Sequence, residues 1–328
     1  MLRWGILSTA KIAREQLIPA ILAAEGSVLA GIASRDEARA RALADHCGAR
    51  LSFGSYEAML GNAEIDAVYI PLPTAQHIEW AGKAMAAGKH VLVEKPLALK
   101  AADIAPLIDA RDRAGVVVAE AFMVKHHPQW SVVRDWIAAG RIGRLTRVQG
   151  AFTYFNDDPG NMRNILALGG GALPDIGVYP VVTTRLATGA EPLRAFARIE
   201  RHREFGTDIL ADCTVEFPDF TLSFYVSTQM AQRQSLVFHG TDGLIEVETP
   251  FNVGPYGDAL VRLHDRDHAI AESRRFGAAN QYRLQVEAFA RTVAGEAAAH
   301  FSLEESVLNQ RVIDAFYRCE TSGAFEAV

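Results

Sequence analysis

The sequence predicts an α/β protein of two domains, the first built on a doubly wound parallel sheet and the second an α+β domain on a large, mostly antiparallel open sheet. Its 328 residues suffice for two domains of roughly 150 residues each, and 49% of them are hydrophobic, which is ample for two cores. Short apolar runs alternate with amphipathic runs in the first third, whereas strand patterns follow one another in the second half. These two patterns favour the two different kinds of sheet.

The first domain, residues 1–122, follows a regular strand–helix alternation. Apolar runs predict its strands, and apolar residues at helical spacing predict its helices. The predicted strands are residues 2–7, 28–33, 67–70, 90–93 and 116–119, and the predicted helices are residues 11–24, 36–47, 76–87 and 101–114. The strands are apolar throughout, as expected when helices cover both faces of a parallel sheet.

The second domain, residues 123–328, shows strand patterns joined by turns, and two helices close the chain. The predicted strands are residues 144–154, 193–200, 214–217, 221–228, 235–239, 244–248 and 260–264, and the predicted helices are residues 281–293 and 303–319. The Thr241-Asp242-Gly243 tip between two of these strands is typical of a hairpin. We expect the last helix to pack back on the first domain.

Alternating side chains in residues 223–227 indicate a strand with one buried face and one wetter face. Leu222 and Phe224, or Tyr225 on the opposite face, are candidates for contacts with a second copy of the chain. The pattern leaves both choices open, because a shift of one residue exchanges the faces of a strand. Two-fold dimers are the commonest oligomers, so we expect a homodimer through this sheet, with a tetramer as the alternative.

Composition argues against several classes of function. A net charge of −6 and a pI of about 5.9 lack the basic footprint of a nucleic-acid-binding protein. No uninterrupted apolar stretch approaches the roughly 20 residues of a membrane span. Cys47, Cys213 and Cys319 are far apart and form no CxxC pair, which predicts reduced thiols in a cytoplasmic protein and no metal site.

The turn after the first predicted strand reads Gly5-Ile6-Leu7-Ser8-Thr9-Ala10. The dinucleotide fingerprint G-x-G-x-x-G/A uses glycines where the backbone turns tightly and approaches a pyrophosphate at a helix N-terminus. Gly5 and Ala10 match its first and last positions, whereas Leu7 replaces the middle glycine. The match is weak alone, but a strand before it and a helix after it favour a Rossmann domain.

The end of the second strand carries Ser34 and Arg35, where NAD-selective sites usually have an acidic residue for the ribose hydroxyls. A small hydroxyl beside a guanidinium suits a 2′-phosphate, because arginine binds phosphate with forked hydrogen bonds. This pattern favours NADP, with NAD as the alternative. In the plainer interpretation Arg35 is a solvated residue at a helix start and Asp36 is a helix cap.

Two further segments carry residues suited to proton transfer. Lys95 follows the fourth strand within Glu94-Lys95-Pro96, at the strand end where doubly wound sheets bind ligands. Asp175 and Tyr179 follow three glycines and are four residues apart, so on a helix they lie on one face. The plainer interpretations are a surface Glu–Lys pair, a capping aspartate and a core tyrosine.

Taken together, these motifs resemble the Gfo/Idh/MocA family, and within it the branch of sugar and dihydrodiol dehydrogenases that includes NADP-dependent xylose dehydrogenases. The resemblance covers nearly the whole chain, and its most specific mark is Glu94-Lys95-Pro96. The other segments that carry it are Trp4–Ala13, Pro71–Thr74 with His77, Glu120–Met123 with His127-Pro128, Asn161 with Arg163, and Gly169–Tyr179.

The resemblance implies a nicotinamide-dependent oxidoreductase that transfers a hydride to or from a sugar, polyol or vicinal diol, without a metal. It implies cofactor contacts from Gly5, Leu7, Ser8, Thr9, Ala10, Ser34, Arg35, Pro71, Leu72, Thr74, His77, Glu94, Lys95, Pro96, Met123 and Arg163. It implies substrate contacts from Lys95, His127, Phe155, Arg163, Asp175 and Tyr179.

The same resemblance implies a catalytic set of Lys95, Asp175 and Tyr179. Tyr179 is expected to exchange the proton of the reacting hydroxyl, with the cationic Lys95 favouring its phenolate form. Asp175 is expected to orient the substrate hydroxyls or Lys95. Three alternatives stay open: an NAD-dependent dehydrogenase of the inositol type, a sensor that binds NADP without catalysis, and a bifunctional oxidoreductase that never releases its cofactor.

Overall fold

The computed structural model describes residues 1–254, 258–296 and 300–328, and the chain divides into two compact units. The first unit comprises Met1–His126 and Asn280–Val307, and the second comprises His127–Ala279 and Leu308–Val328. Each unit is therefore made of two chain segments, whereas the predicted domains are continuous.

The first unit contains a six-stranded sheet in the order β3-β2-β1-β4-β5-β6, in which every pairing is parallel. This is the doubly wound order, so the predicted Rossmann fold is confirmed. Its strands are β1 Leu2–Leu7, β2 Ser27–Ala33, β3 Leu51–Phe53, β4 Ala67–Ile70, β5 His90–Val93 and β6 Val118–Glu120. The sequence did not predict β3, because three residues are too few to show a period.

The helices of the first unit lie on both faces of this sheet. They are α1 Ile18–Ala23, α2 Glu37–Cys47, α3 Tyr56–Leu60, α4 His77–Ala86, α5 Ala105–Ala114 and α8 Gln281–Val293. Two separate clusters of buried residues result, one containing Trp4 and Ile6 and the other containing Leu7 and Val68. The predicted apolar character of the strands is thereby explained, since successive side chains of β1 enter opposite cores.

Gly5 lies inside β1 and not in the turn that follows it. A Cβ at this position would lie 2.6 Å from Sδ of Met59 and 3.1 Å from Cγ2 of Ile65. The described surroundings of Gly5 are thus those of a packing position, where the missing side chain makes room for α3. The cofactor contact predicted for Gly5 stays a prediction.

The second unit contains a nine-stranded sheet in the order β14-β13-β12-β11-β7-β10-β9-β8-β15. All its pairings are antiparallel except that of β7 with β10, which confirms the predicted mostly antiparallel sheet. The strands are β7 Leu145–Phe155, β8 Arg194–Arg201, β9 Asp208–Glu216, β10 Thr221–Ser227, β11 Gln229–Gly240, β12 Gly243–Val247, β13 Ala259–Asp265, β14 Ile270–Phe276 and β15 Glu326–Ala327. The sequence missed β14, which is largely exposed and has no apolar alternation.

The helices of the second unit are α6 Gln129–Ala138, α7 Val178–Thr188 and the part of α9 Leu303–Ser322 that follows Val307. The stretch Leu166–Thr188 is long and apolar enough, by length and composition alone, to span a membrane. The most apolar part of this stretch is 72% buried inside the protein, as in the core helix of a globular protein.

The register of β10 decides which of its side chains are buried. Leu222 is 0% exposed and Phe224 is 4% exposed, and the ring of Phe224 lies 5.9 Å from that of Phe316 on α9. Leu222 and Phe224 therefore belong to the core, and the prediction that they could contact a second copy is wrong. Tyr225 lies on the opposite face, where Arg233 donates a hydrogen bond to its hydroxyl at 3.0 Å.

Adding one methyl group at Gly5 tests its packing role. Gly5→Ala is expected to lower the free energy of unfolding by about 1–3 kcal/mol, because the new Cβ overpacks the contact with Met59. The matched control is Gly82→Ala on α4, where a Cβ would meet nothing within 4 Å, and which should stabilise by up to about 1 kcal/mol. Urea unfolding of both variants measures the difference, and equal effects would contradict the packing role.

Candidate active site

The turn after β1 has an unusual backbone. Ser8 adopts a φ of +145°, which side chains rarely allow, and its Oγ accepts a hydrogen bond from the Ala10 N–H at 2.9 Å. A π-helical turn, Ala13–Leu17, follows at once and leads into α1. Strained residues and π-helical turns occur often at functional sites, and the first N–H groups of a helix attract anions. Ser8, Thr9 and Ala10 are thus placed as the fingerprint predicts.

The adjacent strand end carries the predicted specificity residues. Leu7 pairs with Ala33, so Ser34 and Arg35 follow β2 beside the turn that follows β1. The Oγ of Ser34 accepts a hydrogen bond from the Asp36 N–H at 3.1 Å, and Asp36 in turn caps α2. Arg35 is exposed and its guanidinium interacts with the hydroxyl of Tyr56. The capping role proposed for Asp36 is confirmed.

The loops after β4 and β5 are tied together by His77. Its ring nitrogens lie 2.7 Å from the carbonyl oxygen of Leu72 and 2.8 Å from that of Pro96. Two acceptors favour a protonated ring, but burial opposes the charge more strongly and lowers the pKa of His77 to about 4. The ring thus joins the predicted cofactor loop to the loop of Lys95. The cofactor contact predicted for His77 stays a prediction.

Carboxylates lie around the backbone of the Lys95 segment. Oε1 of Glu94 accepts a hydrogen bond from the hydroxyl of Tyr69, and Oε2 accepts one from the Lys95 N–H at 3.3 Å. Oε1 of Glu120, at the end of β6, accepts a hydrogen bond from the Leu97 N–H at 2.8 Å. Glu120 is 3% exposed, and burial raises its pKa to about 7.

Asp175 accepts hydrogen bonds from two other polar side chains of the second unit. Its Oδ2 accepts hydrogen bonds from the hydroxyl of Tyr154 at 2.6 Å and from Nε of Arg163 at 2.9 Å. The negative charge of Asp175 raises the pKa of the Arg163 guanidinium. Asp175 lies in a second π-helical turn, Leu173–Gly177, which leads into α7. The carboxylate is thus paired and does not serve as a helix cap.

Tyr179 lies at the start of α7 and is 4% exposed. Its ring packs at 5.6 Å from Phe152 and 5.7 Å from Phe251, and it interacts electrostatically with Arg163. The second unit therefore brings Arg163 close to Asp175 and Tyr179, the two residues that the motif predicts on one helix face. A phenol that is held among aromatic rings, with a guanidinium nearby, can act as a positioned proton donor or acceptor.

Three further predicted site residues, Phe155, His127 and Met123, differ in their exposure to solvent. Phe155 ends β7 and is 64% exposed. His127 is 1% exposed, its Nδ1 accepts a hydrogen bond from the Gln129 N–H, and its ring lies 5.7 Å from that of Phe276. Met123 is also buried. His127 is thus buried within its unit, and the substrate contact predicted for it stays a prediction.

Sequence reasoning missed two polar residues, one beside Asp175 and one beside the segment that carries Lys95. Tyr154 precedes the predicted Phe155 and faces Asp175, and Glu120 lies in a segment that carried the family resemblance without receiving a role. The available signal was the alternation of β7 for Tyr154, and an acidic residue directly after a predicted apolar strand for Glu120. Within residues 1–254, 258–296 and 300–328, no group of three histidine, cysteine or acidic side chains could hold a metal ion.

Family comparison matches both parts of the chain. Residues 2–122 match the Gfo/Idh/MocA oxidoreductase family with its NAD-binding Rossmann fold, and residues 130–246 match the C-terminal domain of that family.

Individual relatives match along nearly the full length. An uncharacterized oxidoreductase of Rhizobium meliloti is 42% identical, over 100% of this chain and 99% of that protein. D-xylose 1-dehydrogenase (NADP(+)) 2 of Haloferax volcanii is 37% identical, over 98% of each. The crystal structure of a 3-ketoreductase from Actinomadura kijaniata with NADP and TDP-benzene superposes with a TM-score of 0.90 at 29% identity, over 97% of each chain.

Replacing Glu120 tests the effect of burying its carboxyl group. The pKa of Glu120 is about 7 in the folded protein and 4.5 in the unfolded chain. Between pH 4.5 and 7 the folded protein therefore binds more protons than the unfolded chain, and its stability falls as pH rises through this range. Glu120→Gln lacks this loss. Its free energy of unfolding relative to the wild type should therefore grow between pH 4.5 and 7, by on the order of 3 kcal/mol.

Glu304→Gln is the control for this measurement. A hydrogen bond from Arg111 lowers the pKa of Glu304 to about 2, so its stabilisation is lost only as pH falls below 4.5. The difference between Glu304→Gln and the wild type should stay flat from pH 5 to 7 in chemical denaturation. A flat difference for Glu120→Gln as well would contradict the raised pKa.

Proposed function

Because this chain belongs to the Gfo/Idh/MocA family of oxidoreductases, we propose that it transfers a hydride between NADP(H) and a sugar, polyol or vicinal diol. The family membership confirms the resemblance predicted from the sequence motifs. The observation that carries the proposal is the cluster of Tyr154, Arg163 and Asp175 on and beside the helix of Tyr179, because it joins hydroxyl-binding groups to a proton-exchanging phenol.

The first unit supports NADP as the cofactor. The residues present fit a dinucleotide, since the turn at Ser8 precedes a helix N-terminus and Ser34 and Arg35 stand at the neighbouring strand end. A serine and an arginine at this place suit a 2′-phosphate and leave the ribose without the acidic partner typical of NAD sites. The NADP dependence of the Haloferax volcanii relative points in the same direction.

The chemistry divides between the cofactor and the side chains. The oxidised cofactor, NADP+, would accept a hydride at C4 of its nicotinamide in alcohol oxidation, and the reduced form, NADPH, would donate it in the reverse reaction. In the oxidation of an alcohol, Tyr179 takes the hydroxyl proton, and in the reverse reaction it returns this proton. We assign to Lys95 the stabilisation of negative charge on the reacting oxygen. Asp175, fixed by Tyr154 and Arg163, accepts hydrogen bonds from neighbouring substrate hydroxyls.

We also propose a homodimer that uses the face of the second sheet carrying Tyr225. This face is polar: Arg147 donates a hydrogen bond to Ser223 at 3.3 Å, and Arg233 donates one to Tyr225. A cytoplasmic location accords with the three free cysteines. Sedimentation velocity of the wild type and of Tyr225→Arg tests the assembly, and an unchanged dimer in the variant would place the interface elsewhere.

Turnover measured at the reduced-nicotinamide absorbance band tests the function. The assay compares NADP with NAD across aldoses, inositols and vicinal diols. Lys95→Ala and Tyr179→Phe should each lower kcat/KM by about 10²- to 10⁴-fold, because each removes a group acting on the transferred proton or on developing charge. Arg35→Ala should raise the KM for NADP and leave that for NAD nearly unchanged.

One variant serves as the control for this assay. Lys100→Ala changes an exposed lysine after the same strand and should keep wild-type turnover. Tight NADPH binding without turnover on any substrate would contradict the proposed activity and favour a sensor. Turnover that survives in Lys95→Ala would contradict the role assigned to that lysine.

A further inference from the structure

We propose that Asp208 is a positioning residue for this reaction, which fixes the first turn of the helix that carries Asp175 and Tyr179. The inference rests on the proposed function for its catalytic meaning. Its structural part, that Asp208 anchors this turn, rests on contacts within the second unit.

Asp208 is the first residue of β9 and is 1% exposed. Its Oδ2 accepts a hydrogen bond from the Leu173 N–H at 2.6 Å, and its Oδ1 accepts one from the hydroxyl of Tyr317 on α9 at 2.7 Å. Leu173 opens the π-helical turn that contains Asp175. One carboxylate thus joins the start of this helix to a strand and to the last helix.

The glycines before this turn leave room for the contact with Asp208, because they have no side chain. Gly171 has a φ of +143°, and a Cβ there would collide with the carboxylate of Asp208. A Cβ at Gly170 would collide with the carbonyl group of Arg163, whose side chain pairs with Asp175. The glycine-rich segment therefore approaches two groups closely: the carboxylate of Asp208 and the backbone of Arg163.

Burying a carboxylate is costly unless its oxygens are hydrogen-bonded, and burial raises the pKa of Asp208. An apolar residue would avoid this cost but would leave the Leu173 N–H, at a buried helix start, without this partner. Leu173 lies only two residues before Asp175 and six before Tyr179. Displacements of about 1 Å at reacting groups reduce rates by about 10²-fold, so a fixed helix start has a direct catalytic consequence.

Three variants separate anchoring from general stability. Asp208→Ser shortens the side chain and withdraws both acceptors. Asp208→Asn keeps an acceptor for Leu173, and its amide can pair with the hydroxyl of Tyr317. The control is Glu191→Gln, which weakens the ion pair of Glu191 with the buried Arg185 at 2.7 Å, at the far end of α7.

The measurements are kcat and KM, the dissociation constant of NADPH, and hydrogen–deuterium exchange of the segment 166–180. We expect Asp208→Ser to lower kcat by 10- to 100-fold, to leave NADPH binding within twofold, and to accelerate exchange in this segment. Asp208→Asn should recover kcat to within about threefold of the wild type. Glu191→Gln should lower the melting temperature without changing kcat or this exchange.

Unchanged exchange of residues 166–180 in Asp208→Ser would overturn the anchor, whatever the turnover. Accelerated exchange with kcat within twofold of an active wild type would overturn the catalytic meaning, as would an equal loss of kcat in Glu191→Gln. A wild type without turnover would overturn the proposed function and the catalytic meaning together, while the exchange measurement would still decide on the anchor. If Asp208→Ser does not fold, Tyr317→Phe replaces it, with faster exchange expected and unchanged exchange overturning the anchor.

Discussion

A buried carboxylate must find hydrogen-bond donors, and in each unit one such donor is a backbone N–H in a segment that carries a predicted catalytic residue. Glu120 accepts from the N–H of Leu97, two residues after Lys95. Asp208 accepts from the N–H of Leu173, two residues before Asp175. Each carboxylate thereby fixes a stretch of main chain, and the position of the functional side chain follows from that stretch.

Three irregular backbone segments lie where function is predicted. Ser8 has a positive φ in the turn that fits the dinucleotide, and π-helical turns begin both α1 and the helix of Tyr179. Such features are less stable than a regular helix and persist only when their surroundings hold them. Here the surroundings include the local hydrogen bond of Ser8 to Ala10 and the hydrogen bond of Asp208 to Leu173.

The second unit uses its large sheet to separate two environments. One face of β10 packs Leu222 and Phe224 into the core that supports the helices, and the other presents Tyr225 among polar partners. On the core side, Phe152 and Phe251 enclose Tyr179, while Tyr154 contacts Asp175. Polar and apolar side chains therefore meet at the start of α7, which suits the proton exchange proposed for Tyr179 because apolar surroundings limit the access of water.

The sequence by itself determined the elements whose patterns are local. The strands at 2–7, 67–70 and 90–93 and the helix at 281–293 have the predicted bounds, because apolar runs and helical periodicity are read within a few residues. Short motifs likewise indicated Lys95, Asp175 and Tyr179 and the family to which the chain belongs.

Only the tertiary structure decided features that join distant segments. Asp208 lies 35 residues from Leu173 and 109 from Tyr317, so no local pattern reveals their contact. The packing role of Gly5 depends on Met59, and the joining of residues 280–307 to the first unit depends on cores that no period encodes. Hydrogen bonds and close packing depend on distances in space, and these arise only once the chain has folded.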